Sequence, residues 1–156
     1  MRPYLPLIVC AALGLAGCGL PTSAKCVAGY VRSDTVALTR DLNAARVRWQ
    51  AAGTANYTYV MQYTGFAPVQ LLTVTIQAGQ VTAVIPDGIQ SLGTVEDMFA
   101  RVAQQIDGVK TTDCLTVSAT YDPADGHPSS LAWAIEQQAI ADGFGGWRLT
   151  GFTPQP

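Results

Sequence analysis

The spacing of apolar positions changes three times along the chain. From Tyr4 to Ala16 apolar and small residues run almost unbroken, interrupted only by Pro6. Leu38, Leu42, Ala45, Trp49 and Ala52 then recur every three or four residues, one face of a helix. Ser33 or Asp34 can cap its start, and Gly53 is a natural stop. From Asn56 the period drops to two. Tyr57, Tyr59, Met61 and Tyr63 alternate with Thr58, Val60 and Gln62, which predicts a strand with an aromatic face. Thr64-Gly65-Phe66-Ala67-Pro68 turns the chain into a β-branched second strand from Val69 to Gln77. Ala78-Gly79 makes a hairpin to a third strand, Gln80 to Ile85, ended by Pro86-Asp87-Gly88.

The helical spacing returns at Thr94-Val95-Glu96-Asp97. Thr94 can bond an amide three residues on, and two carboxylates sit in the first turn, near the positive end of the helix dipole. Val95, Phe99, Val102 and Ile106 form the apolar stripe, with Gly108 expected to close the helix. After Cys114, the alternation of Leu115, Val117, Ala119 and Tyr121 predicts a fourth strand. Asp122 to Pro128 reads as a loop, and Leu131, Trp133 and Ile135 as a fifth strand. Gly143 to Gly146 reads as a mobile turn, and Trp147 to Phe152 as a sixth strand. The order is helix and three strands, twice. An α+β fold follows: a single antiparallel sheet of about six strands with two helices packed on one face, which buries both stripes and satisfies every alternation.

The first apolar run has a different meaning. Its roughly 13 residues fall short of the roughly 20 needed to span a bilayer, and it follows Arg2 and ends in small residues, as a signal peptide does. Leu15-Ala16-Gly17-Cys18 resembles the lipobox of bacterial lipoproteins. That resemblance implies cleavage between Gly17 and Cys18 and a diacylglycerol on the Cys18 thiol, so that the membrane is reached through lipid. It divides the chain into a signal peptide (1–17), a lipidated tether (18–32) and one α+β domain (33–154). Residues 19–32 have no period, and as flexible chain they would bridge about 20 Å, a reach that a disulfide at Cys26 would shorten. Gly19 follows the cysteine. Aspartate there commonly marks inner-membrane retention, so the expected place is the cell envelope: the outer membrane of a diderm cell, otherwise the outer face of the plasma membrane. A simple cleaved secretory signal is the alternative.

Composition narrows the partners. The net charge is −2 and no basic patch stands out, which argues against nucleic acid. Of four cysteines, Cys10 would leave with the signal and Cys18 would carry lipid. Cys26 and Cys114 remain in an oxidising compartment, and a disulfide between them is the plain reading, contributing about 4 kcal/mol in a chain-entropy model. A catalytic thiol would need a histidine, and His127 is the only one in the sequence.

The densest polar stretch is Tyr121-Asp122-Pro123-Ala124-Asp125-Gly126-His127-Pro128-Ser129-Ser130. Asp122 and Asp125 could bind a cation with His127 beside them. A turn explains the same residues better: Asp122 caps, Pro123 sets its own dihedral, and Gly126 takes positive φ. Calcium loops need more oxygen ligands at alternating positions. His127, between glycine and proline, is expected to be a solvated loop residue, with no nucleophile motif around Ser129 and Ser130. Glu96 and Asp97 read as helix-start charges. Tyr57, Tyr59, Tyr63, Trp133 and Trp147 are core if they face the helices, or a stacking platform if they do not. Phe66 and Phe144, on turns, are better placed for recognition. No metal and no cofactor is expected.

Several fragments together resemble a family of small secreted bacterial proteins and lipoproteins classed as a domain of unknown function. They are Trp49 with Asn56-Tyr57-Thr58-Tyr59, Val74 to Val81, Thr94-Val95-Glu96-Asp97-Met98-Phe99, and Thr120-Tyr121-Asp122-Pro123 leading to Gly126-His127-Pro128. The resemblance spans roughly residues 45 to 152. It implies a location and a fold but no established activity. Members often carry a Cys-x-Cys pair after the first strand; Thr64-Gly65-Phe66 stands there instead, so whatever that pair does is absent. The expected function is a non-catalytic, membrane-anchored envelope lipoprotein that binds a protein or a cell-wall component. The alternatives are an envelope hydrolase using the Asp122–His127 loop and a purely structural surface protein.

Overall fold

The computed structural model describes residues 25–65, 71–138 and 140–156. The signal segment with Gly17 and Cys18, and Phe66 in the first hairpin, lie outside them.

The first helix, α1 (Thr35–Ala52), starts where Asp34 accepts the amides of Val36 and Ala37 at 2.9 and 3.0 Å, and ends at Gly53, which adopts a left-handed conformation. Three strands follow, β1 (Tyr57–Thr64), β2 (Leu71–Gln77) and β3 (Gln80–Ile85). The second half repeats the order with α2 (Val95–Thr111), β4 (Leu115–Tyr121), β5 (Pro128–Ile135) and β6 (Phe144–Pro154). At the start of α2 the Thr94 hydroxyl accepts the Asp97 amide, and the Asp97 carboxylate accepts the Thr94 amide at 2.8 Å, a reciprocal capping box.

All neighbouring strands are antiparallel, in the order β3-β2-β1-β6-β5-β4. Each half is a meander. The seam between them is β1 against β6, with Tyr59 opposite Phe152 and Met61 opposite Leu149, and a bulge between Val60 and Met61. One face of the sheet is dry. Tyr57, Tyr59 and Met61 of β1 and Leu72, Val74 and Ile76 of β2 are buried with Leu42, Ala45 and Trp49 of α1 and the whole stripe of α2. Each such side chain contributes about 1.5–3 kcal/mol on leaving water. The tyrosine face of β1 is therefore core.

Three local expectations are corrected. Gly108 does not end α2. The helix runs on to Thr111 because the fully buried Val109 extends the stripe by another turn. That burial outweighs the roughly 1 kcal/mol cost of a mid-helix glycine. The glycine stretch 143–146 is not a mobile turn, since β6 begins at Phe144, with Gly145 opposite Trp133 and Gly146 opposite Ala132. These glycines are needed for close approach: a Cβ on Gly145 would lie 2.9 Å from the Trp133 ring, and one on Gly146 would strike the Leu131 carbonyl.

The third correction concerns the tether. From Lys25 onward the segment is docked. Val27 N–H donates to the Glu136 carbonyl at 2.8 Å, Tyr30 Oη to that of Leu115 at 3.3 Å, and Arg32 Nη2 to that of Val109 at 2.8 Å. Ser33 Oγ donates to the Val117 carbonyl and accepts the Val117 amide. The segment thus occupies backbone groups of the edge strand β4 that would otherwise be open to pairing. Among the described residues no helix is long and apolar enough to cross a membrane.

Candidate functional site

The 122–127 loop forms through its own short-range bonds. Asp122 Oδ1 accepts the amides of Ala124 at 2.8 Å and Asp125 at 3.2 Å, an Asx turn. The Asp122 amide donates to the His127 carbonyl, and the Gly126 amide to the Asp122 carbonyl. These donors, the Ala124 amide foremost, hold the Asp122 carboxyl below the usual carboxylate range; the charges of His127 and Arg48 act in the same direction. Gly126 sits at φ 84°, pressed onto α1, where a Cβ would strike the Ala45 carbonyl and come within 2.9 Å of Arg48 Cβ.

That contact determines where His127 goes. The residue is only 7% exposed, and its ring stacks on Phe152 with centroids 4.0 Å apart and planes 14° apart. Nδ1 lies 2.6 Å from Asp125 Oδ1, which also accepts the His127 amide at 3.0 Å. The expectation of a solvated histidine is overturned. With the loop flat on α1, the imidazole covers the stretch of β6 that extends beyond β5, where the alternative is an exposed phenylalanine face.

Asp122, Asp125 and His127 offer ligand atoms within 4.8 Å of one another. Asp122 Oδ1 is engaged with the loop amides and Asp125 Oδ1 with His127, the bonding of a closed turn. Five cavities of about 330 to 720 Å3 open on the described surface, and His127 is in the wall of none of these five.

The largest of them lies at the C-terminal end of α1, between Trp49, the β2–β3 turn and the start of α2. There Trp49 Nε1 donates to Glu96 Oε1 at 2.8 Å, and the Tyr57 hydroxyl accepts the Val95 amide at 2.9 Å. Glu96 is thus more than a helix-start charge, because it ties α1 to α2. Nothing in the local sequence marks that pair. Trp49 meets Tyr57 edge-on at 5.5 Å and Phe152 at 6.0 Å, so the aromatic cluster runs unbroken from this groove to His127.

Cys26 and Cys114 form a disulfide with Cα atoms 5.3 Å apart, as expected from the cysteine count. It joins the docked N-terminal segment to the start of β4.

Residues 41–154 match the model of a family of unknown function, DUF6174. The chain belongs to this family. No curated protein and no solved structure matches it. The DUF6174 segment holds the whole sheet, α2, most of α1 and the 122–127 loop. It contains Cys114 but starts after Cys26, so the bridge links the family domain to a segment outside it. Within the domain Phe144 is the first residue of β6, opposite Ala134 and 44% exposed, and no longer a loop tip.

Burial pushes the Tyr57 hydroxyl up to about 12, and that of Tyr59, which donates to the Gly93 carbonyl at 2.7 Å, higher still. Raised values in the folded state mean that the neutral phenols stabilise the DUF6174 fold fully below the unfolded value near 10. That contribution is lost as pH climbs through 12. In an alkaline titration read at the phenolate absorbance, these tyrosines are expected to stay silent up to about pH 11 and then ionise together with unfolding. Smooth ionisation of every tyrosine near pH 10 in a still-folded protein would contradict the burial.

Proposed function

We propose that this chain is a non-catalytic lipoprotein of the bacterial envelope, anchored through lipid on Cys18, whose domain binds a protein or cell-wall component. The observation that carries the reading is the Cys26–Cys114 bridge with its docked segment. A structural disulfide suits an exported chain, because the cytosol keeps thiols reduced. Docking from Lys25 leaves residues 19–24 between the lipid and the domain, a reach of at most about 25 Å. The domain would therefore work close to the membrane surface. Two or more acyl chains, at about 0.8 kcal/mol per buried methylene, make such an anchor stable.

Mass spectrometry of the native protein from membranes should find acyl mass on Cys18 as the first residue, with Cys26 and Cys114 oxidised. A Cys18→Ala chain should leave the membrane fraction. A full-length chain with its leader intact in the soluble fraction would overturn the reading. One observation favours a competing function: the Asp125–His127 pair is oriented as an acid–base dyad would be. An envelope hydrolase built on it should lose its phenotype in His127→Ala, and a variant that keeps every property of the parent would remove this alternative.

A further inference from the structure

A cleft of about 430 Å3 opens between α2 and the sheet, at the end where β1, β5 and β6 meet. Its sheet side presents the aromatic residues Tyr63, Trp133, Phe144 and Trp147. Its helix side presents Arg101, Gln104 and Gln105, which share one face of α2. The volume lies in the range of small-ligand sites, and the mix of aromatic wall with a few convergent polar groups is what such sites use.

Three observations define what would fit. First, among the described residues no carboxylate lines the cleft and one guanidinium does, in a chain whose net charge is −2. Second, Trp147 is only 4% exposed, yet its indole N–H has no hydrogen-bond partner. A buried donor left unpaired costs about 1–3 kcal/mol; this one is closed off from solvent, so a ligand acceptor would reach it only with a shift of the cleft wall. Third, the polar groups are rich in N–H donors: the guanidinium, two carboxamides and two indoles. Tyr63 is not free to move, because its hydroxyl donates to the Gln90 carbonyl at 2.9 Å. The glycines at 145 and 146 keep the floor low: the first passes under Trp133 and the second lies against the Leu131 backbone.

A ligand matching this cleft has an apolar face for the rings, acceptors for the donors, and a negative charge for Arg101. We propose that the cleft binds a carboxylate-bearing N-acetylated sugar. The C–H face of the sugar ring lies on Trp133, its carboxylate on Arg101, and its acetamide carbonyl toward the α2 carboxamides. This rests on the envelope-binding reading and names the class of wall component.

The test is a titration of the full chain in detergent with N-acetylmuramic acid and, separately, with its neutral counterpart N-acetylglucosamine. The readout is the indole N–H resonances of Trp49, Trp133 and Trp147. The acid should move the Trp133 and Trp147 signals and leave Trp49 in place, and the neutral sugar should bind about tenfold more weakly or worse. Arg101→Gln should remove that preference, and Gln104→Ala should weaken both sugars several-fold. Both residues are exposed on α2, so both variants should fold. No movement of Trp133 at about 10 mM acid, or equal affinity of the parent and Arg101→Gln, would overturn the proposal. The two readings fail separately. An acylated protein with a silent cleft retains the anchor and loses the ligand. A sugar-binding protein with a bare Cys18 retains the ligand and loses the anchor.

Discussion

Replacing Cys26 with serine is expected to cost the domain about 4 kcal/mol. The bridge spans a sequence separation of 88, and in the chain-entropy model a loop of that length restricts the unfolded chain by roughly this amount. Domains of this size have about 5–15 kcal/mol in total, so the loss would be a large fraction of the whole. It should also be local before it is global. Cys26 sits within the segment whose bonds to Leu115, Val109, Val117 and Glu136 cover the edge of β4. Without the bridge those bonds must hold the segment alone against its chain entropy. Hydrogen exchange at Val27 and at Val117, whose amide donates to Ser33 Oγ, should speed up first. Urea unfolding of the parent with reductant should match the variant, and reductant should not affect the variant further. A variant that unfolds at the parent's midpoint would show that the bridge contributes nothing.

Gly126→Ala should be nearly as damaging, by about 3 kcal/mol or more. The left-handed conformation alone costs a residue with a Cβ about 1–2 kcal/mol. The added methyl must also push the loop off the Ala45 carbonyl and Arg48, an overpacking cost of about 1–3 kcal/mol. Gly79→Ala is the control. Gly79 has φ 71°, but nothing lies within 4 Å of its Cβ position, so only the conformational cost of about 1–2 kcal/mol applies. Calorimetry of the two variants measures the difference, which is the contact between loop and helix. The His127 ring protons report the consequence: in Gly126→Ala they should lose the ring-current shift from Phe152. Equal melting temperatures for the two variants would show that the loop does not depend on its seat against α1.

Most of the architecture is written in local pattern. The stripe Leu42, Ala45, Trp49 and the alternation Tyr57, Tyr59, Met61 specify a helix and a strand, because a side chain's direction repeats every 3.6 or 2 residues regardless of the rest of the chain. The caps at Asp34 and Thr94 are equally local, since donor and acceptor lie within three residues. Where the reading failed, the deciding partner was distant. Gly108 looks like a stop until Val109 finds the core. Gly145 and Gly146 look like a mobile turn until Trp133 and Leu131 lie across them. His127 looks solvated until β6 brings Phe152 beneath it.

Taken alone, the amino-acid order determined the helix-and-three-strands repeat, the N-terminal caps, the cysteine pair, the resemblance to a family of unknown function and the polarity of each face. The folded chain decided that β1 meets β6, that residues 25–33 cover β4, and that the 122–127 loop turns its histidine inward. It also decided that α2 faces an aromatic wall across a cleft whose described lining holds no acid. The reason is physical. Period, capping and turn chemistry are settled by neighbours a few residues apart, whereas burial is a competition among all apolar surfaces at once, and its outcome exists only when they meet.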